Sequence, residues 1–443
     1  MSEKLNSIAY QKLLSACVFT ILELSYLLLS SSVSAHWLTS ERHGRIEGKM
    51  KISSQVRKVA QQPATQQPSN PTRGMKSFLD WCQKRDSLTL EAKHTVEVIL
   101  ERIRIQDCQQ AHQKLLTQRS LNLSNHLQRS QIEDISALSS LTHLEELDLK
   151  ANAIKDLTPL SPLVNLQTLY LEYGTSHNKR NILKHGETPL DLTPLASLKK
   201  LQKLHLTGNV ITNLTPLASL KNLRTLILHN IAFPESAPDT TTQYSRKLDL
   251  TPLSNLTNLE EIHISANPNI ENFTPLSSLI NLRLLNLSES NVKDITFLSS
   301  LTNLEELYLI QNEIKDIAPL SGLKKLQKLY LFHNREIEDI KPLSALTKLQ
   351  KLFLGNNQIK DVTPLSSLTN LQELELWENQ ITDVTPLSSL NNLLVLNLNS
   401  NIIQDITPLS SLTNLQVLRL DNNRYLDKKC PLPRKSICVW TFK

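Results

Sequence analysis

Glycine is scarce here, at 8 of 443 residues, so the glycine-rich loops that cradle phosphates are nearly excluded. No HExxH or GxSxG motif occurs, which removes the best-marked metal-dependent and serine hydrolases. The net charge of +6 suggests a polyanion partner until it is located. Residues 36–75 hold seven Lys/Arg against two Asp/Glu, 1–35 are neutral, and 76–443 carry only +1. The basic balance belongs to one short segment, and no nucleic-acid stripe is expected on the rest. No cofactor and no catalytic activity are expected either.

Cysteine is also sparse, with five residues, and their positions are informative. Cys17 falls in a stretch with the marks of an export signal: Lys4 and Lys12, the apolar run "LLSACVFTILELSYLLL", then small residues ending in Val33-Ser34-Ala35. Glu23 interrupts the apolar run, which leaves an uncleaved anchor as the alternative. The remaining Cys82, Cys108, Cys430 and Cys438 form an even set with three possible pairings. Local pairing, 82 with 108 and 430 with 438, is favoured because each pair lies in one compact segment, and such bridges suit an oxidising compartment. Export to a periplasmic, cell-surface or extracellular location is the expectation. Residues 36–75, basic and then Gln/Pro-rich, read as a disordered tether with possible weak affinity for an anionic envelope surface.

What the chain does have is repetition. From Leu141 it divides into units of the form LxxLxxLxLxxNxIxDxxPLSx, beginning at Leu141, Leu163, Leu198, Leu220, Leu256, Leu279, Leu301, Leu323, Leu346, Leu368 and Leu390. A twelfth starts at Leu412, and 121–140 is a degenerate opening turn. Leucines at unit positions 7 and 9, such as Leu374 and Leu376, are expected to alternate with exposed residues and mark a short strand. Asparagine at position 12 (Asn152, Asn209, Asn267, Asn312, Asn334, Asn357, Asn379, Asn401, Asn423) is placed to bond backbone groups of adjacent units. Asp at position 16 (Asp156, Asp294, Asp316, Asp361, Asp383, Asp405) is placed to bond backbone at the entrance of the next turn. Thr-Pro-Leu, as at 385–387, then offers a capping hydroxyl and a proline to start a short 3₁₀ turn. Each unit has an open apolar face and is stable only when stacked.

The expected fold is therefore an α/β repeat solenoid, a leucine-rich repeat horseshoe of 22-residue units with a parallel concave sheet and short convex turns. Its expected divisions are a signal peptide (1–35), a linker (36–75), a helical N-terminal cap (76–120), the array (121–423) and a C-terminal cap (424–443). In the N-terminal cap, Ser87 or Thr89 starts a helix carrying Val96, Leu100 and Ile103 on one face, and a second begins at Asp107. Trp440 and Phe442 are expected to cover the last unit.

The unit NxIxDIxPLSxLxNL resembles the internalin-type repeats of bacterial surface proteins, as does a helical cap preceding them, and also secreted repeat proteins of cyanobacteria. The resemblance spans 121–423 and implies an adhesin-like module, since internalins hold a host receptor on their concave face. The sequence after the array shows no immunoglobulin-like domain or wall-sorting motif, so host invasion is not implied.

Positions 8 and 10 flank the inward leucines and must face the concave side. Most are polar, such as Asp148 and Lys150 or Asn397 and Asn399. Four consecutive units instead supply Tyr308/Ile310, Tyr330/Phe332, Phe353/Gly355 and Glu375/Trp377. Exposed apolar patches mark partner surfaces, so these residues are the candidate site for a protein or peptide ligand, with a monomer expected. A cross-strand ladder that only stiffens the sheet is the alternative. His205, His229 and His263 also face the concave side, near His177 and His185 of an inserted loop. They are weak metal candidates, since nothing encodes their orientation. Insertions in the second unit ("GTSHNKRNILKHGETP") and the fourth ("NIAFPESAPDTTTQYSRK") leave on the same rim. Two rival readings are a cytosolic scaffold resembling phosphatase regulators, and a structural envelope component without a specific ligand.

Overall fold

A computed structural model describes residues 75–125, 131–173, 189–231, 247–424, 426 and 429–439. The chain divides into two compact units, Met1–Pro68 and Ser69–Lys443, and the described residues all belong to the second. The export signal, the tether up to residue 74, His177, His185, nearly all of both inserted loops, Trp440 and Phe442 lie outside the described residues.

Three helices seal the start of the array. Helix α1 (Phe78–Gln83) begins with a reciprocal cap, in which Ser77 Oγ accepts from the Asp80 N–H and Asp80 accepts from the Ser77 N–H. Its Phe78 and Trp81 are buried; the sequence reading had no helix here. Helix α2 (Leu90–Ile103) is capped by Thr89, which accepts from the Ala92 N–H at 3.2 Å, and buries Val96, Ile99, Leu100 and Ile103. Helix α3 (Cys108–Thr117) is capped by Asp107. Cys82 and Cys108 Sγ stand 1.96 Å apart and tie α1 to α3, while Cys430 and Cys438 stand 2.03 Å apart at the far end.

Between the caps, fourteen parallel strands follow one another in chain order from β1 (Ser120–Asn122) to β14 (Cys438–Val439). Those of the twelve repeat units each comprise unit positions 6 to 8, so the register is the same from coil to coil: Glu373, Leu374 and Glu375 of β11 (Glu373–Glu375) pair with Val395, Leu396 and Asn397 of β12 (Val395–Asn397). In the coil from Leu368, the residues Leu368, Leu371, Leu374, Leu376, Ile381, Val384 and Leu387 all point inward and are buried. Stacked coils close these faces on each other, so the core is one continuous aliphatic column.

Polar side chains lock the coils at three places. At position 12, Asn379 Nδ2 donates to Leu354 O of the preceding coil (3.0 Å) and Leu376 O of its own (3.0 Å), while Oδ1 accepts from the Ile359 N–H (3.0 Å). This is the predicted ladder. Two others were not foreseen. Asparagine at position 3 donates back one coil, as Asn370 does to Thr347 O (2.8 Å), and the last serine of a unit does likewise, as Ser389 does to Ser366 O (2.8 Å).

The convex turn corrects one expectation. The Thr385 hydroxyl does not cap the turn Thr385–Ser389, because Thr385 is already its first residue. The Thr385 N–H is instead accepted by Asp383 Oδ1 at 2.8 Å, the backbone role expected for position 16. At the other bend, leaving the strand, position 11 is left-handed in nearly every coil: Ala151, Gly208, Asn230, Ala266, Glu289, Gln311, His333, Asn356, Glu378, Ser400 and Asn422 all have positive φ. Only one of these is glycine, so the backbone strain of a left-handed L-residue is accepted ten times over.

Candidate functional site

The concave face presents positions 6, 8 and 10 as parallel rows. Strands β8 (Glu306–Tyr308), β9 (Lys328–Tyr330) and β10 (Lys351–Phe353) align Tyr308 with Tyr330 and Tyr330 with Phe353. Their rings stack, with centroids 4.4 Å apart at 7° and then 4.6 Å apart at 19°. The stacking axis follows the strand spacing, so the rings stand on edge and use their faces on one another. A charged row runs beside them. Tyr308 Oη donates to Glu306 at 2.9 Å, Lys328 reaches Glu306 at 2.8 Å, and Lys351 reaches Glu373 at 2.7 Å. Burial is the main cause that pushes both tyrosine hydroxyls above their ordinary range.

Glu375 continues the row after Phe353, and both are buried, at 7% exposure each. This corrects the expectation that the whole patch lies open. Alternation fixes which face a side chain takes, but not how far its neighbours cover it. Burial pushes the Glu375 carboxyl up to about 7, against the opposing pull of a hydrogen bond from Asn397 and of Arg419, whose Nη1 is 4.0 Å away; nearby Glu373 adds to the rise.

Position 10 gives a second row: Ile310, Phe332, Gly355 and Trp377. Trp377 lies across Gly355, such that a Cβ there would stand 2.2 Å from the indole Cε2. Glycine precedes the tryptophan because the ring occupies the space any side chain would need. The indole also meets the His333 ring edge-on (5.1 Å, 73°) and Phe332 at 6.4 Å. Beside it, the Asn356 amide donates to the Glu378 carboxylate. Trp377 is thus half-buried, more embedded than its outward position implied. Ile310, Phe332, Tyr308 and Tyr330 are half-buried as well. The sequence reading missed Gly355 as a partner of the indole, and His333; the signal was a rare glycine one coil before a lone concave tryptophan.

The histidines do not share a centre. His205 Nδ1 is 3.3 Å from Glu172, His229 Nδ1 is 2.8 Å from Ser265 Oγ, and His263 Nε2 is 2.9 Å from Glu261. Among the described residues no three metal-ligating side chains converge. A different cluster surrounds Tyr170, at the end of β3 (Thr168–Tyr170): Lys150 Nζ sits 4.2 Å from the ring centroid and 3.4 Å from Glu172 Oε1. The His205 hydrogen bond, helped by Lys150, holds the Glu172 carboxyl below its ordinary value despite burial.

The chain matches the family described as leucine-rich repeats (two copies) at residues 280–322, 302–345, 324–367, 347–389 and 369–411. No curated protein matches it significantly. Among solved structures, an internalin from Listeria monocytogenes is 30% identical, covering 73% of this chain and 93% of its own, with a TM-score of 0.56. A leucine-rich repeat protein from Leptospira interrogans is 24% identical over 74% of this chain and 85% of its own, TM-score 0.54. A plant peptide hormone receptor, solved in complex with RGF2, is 21% identical over 67% of this chain and 48% of its own, TM-score 0.51. The last two likenesses are of fold alone.

Proposed function

Because this chain belongs to the internalin-type leucine-rich repeat proteins, we propose that it is a non-catalytic binding module that holds a protein or peptide on its concave face. The observation that carries the reading is the concentration of Tyr, Phe and Trp in four adjacent coils of a mostly polar wall, where Tyr170 is the one other such ring at positions 8 and 10. Sheet stiffening accounts for the stacked row Tyr308–Tyr330–Phe353, at about 0.2–1 kcal/mol per pair. It does not account for the second row, where Ile310, Phe332 and Trp377 face outward without forming a stack. Large apolar side chains beside charged ones form the usual anchor of a partner surface. The leader-like N-terminus and two cysteine pairs at bonding distance support export to an oxidising compartment.

The test is capture of the partner by wild-type protein, followed by affinity measurement with variants. Trp377→Ala is expected to weaken binding by about 2 kcal/mol or more, roughly thirtyfold. Asn399→Ala, the same position one coil on, is expected to change affinity little. Ile310→Ser keeps the test decisive should Trp377→Ala fail to fold. Retained affinity in Ile310→Ser and in folded Trp377→Ala would reduce the patch to a structural feature, and four free thiols in the mature protein would remove export.

A further inference from the structure

Near the start of the array, the chain shows how its concave face holds a cation. Lys150, at position 10 of its coil, lies on the Tyr170 ring and against Glu172, which occupy positions 8 and 10 of the next coil. A ring face and a carboxylate two residues apart thus share one ammonium. The coil from Leu368 repeats the pair in reverse order, with Glu375 at position 8 and Trp377 at position 10. Where Lys150 would stand in the preceding coil, there is Gly355, which has no side chain to offer.

The orientation of the indole follows from three distances. A Cβ on Gly355 would lie 2.2 Å from Cε2, 2.4 Å from Nε1 and 2.6 Å from Cδ2. Cε2 is bonded to both other atoms, so near-equal distances with Cε2 shortest mean an approach close to perpendicular to the ring. One indole face therefore rests on the Gly355 backbone, and the opposite face looks into the concave space. This differs from Tyr330, stacked on both sides between Tyr308 and Phe353. The exposed Glu378 carboxylate follows the indole directly, while Glu375, two residues before it, is buried. Of the nearby cations, Lys351 is engaged by Glu373 at 2.7 Å and Arg419 approaches Glu375 at 4.0 Å. Among the described residues, the one ammonium or guanidinium placed over an aromatic ring is Lys150 on Tyr170.

We propose that the outward face of Trp377, with the exposed Glu378 beside it, seats a basic side chain of the partner, arginine in preference to lysine. This rests on the reading of the concave face as a binding surface. Tryptophan has the strongest ring quadrupole for a cation, and the planar guanidinium can lie parallel to the indole while its N–H groups reach a carboxylate. The seat is the intermolecular counterpart of the Lys150 arrangement, with the cation supplied from outside.

The experiment uses the full chain carrying ¹⁵N-labelled tryptophan indoles. Its four tryptophans give four indole N–H signals, and Trp377→Phe assigns the one of interest. The probes are Nα-acetyl-arginine amide, its neutral isostere Nα-acetyl-citrulline amide, and methyl glucoside. A saturable shift confined to Trp377 is expected with the arginine probe, at least fivefold weaker with citrulline. Glu378→Gln should weaken the arginine response three- to tenfold, and Asn399→Ala should leave it unchanged. Equal responses to arginine and citrulline, a stronger response to the glucoside, or no saturable shift at Trp377 would each overturn the proposal. The two levels fail separately. A partner lost on Trp377→Ala but no arginine response removes the basic seat and keeps the binding surface. A partner indifferent to both Trp377→Ala and Ile310→Ser removes the binding surface, whatever the arginine probe does.

Discussion

Glu375 places an ionisable group where the solvent barely reaches it. Its carboxyl, pushed up to about 7 by burial, stays protonated in the folded chain over a range where the unfolded chain has ionised it. The folded state therefore holds the proton more tightly. The stability this lends is complete below the ordinary glutamate value, is lost as pH rises through about 7, and amounts to a few kcal/mol. Arg419 and the Asn397 hydrogen bond limit the loss but do not cancel it. Glu375→Gln, a neutral side chain of the same shape, should match wild type in unfolding midpoint at pH 4 and exceed it at pH 8. Equal midpoints at both pH values would show that the carboxyl is better solvated than its 7% exposure implies. Asp361, Asp383 and Asp405 of the convex turns have the opposite sign. Asp383 is held below its ordinary value, first by the Thr385 hydroxyl and then by the Thr385 N–H, so its contribution is present at neutral pH and fades in acid.

At the scale of the coil, one inserted residue has a traceable effect. The unit from Leu323 has 23 residues, and Arg335 takes a second left-handed conformation after His333. In the following coil Asn357 Nδ2 still donates to Leu331 O and Leu354 O, but its Oδ1 accepts no hydrogen bond from the chain. Asn379, following a unit of 22 residues, accepts from Ile359 and is bonded on both sides. Asn379→Ala should thus cost about 1–3 kcal/mol and Asn357→Ala distinctly less, measured as unfolding midpoints in denaturant. Equal costs would mean that the acceptor bond contributes nothing. This contrast also marks how far the sequence could be read. The asparagine ladder was legible because one residue type recurs at one position. The left-handed bend at position 11 was not, since Ala, Glu, Gln, His, Ser and Asn all occupy it and glycine appears once. The outward direction of Phe353, Glu375 and Trp377 followed from alternation. Their depth did not, because it depends on residues some 22 positions away that settle on top of them. Helix α1 escaped notice because six residues are too few to show a periodicity.

Across the whole described unit, each strand pairs only with the strands before and after it in the chain. Every ladder follows the same rule, since the asparagine and serine bonds reach back one coil and no further. Such an assembly is mechanically a stack of weak links in series, and it should behave as one under load. Pulled from its ends, the array should lengthen in steps of one or a few coils, each coil releasing about 75 Å of chain. Force spectroscopy would record these as a staircase, with the coils that carry the two insertions among the first to yield. A single rupture releasing about 1000 Å at once would instead require long-range fastening that the ladders do not supply. A partner seated at Trp377 and drawn away by flow or by its own attachment would then meet a spring that gives by increments, and the aromatic coils, stacked ring on ring, would be among its stiffer turns.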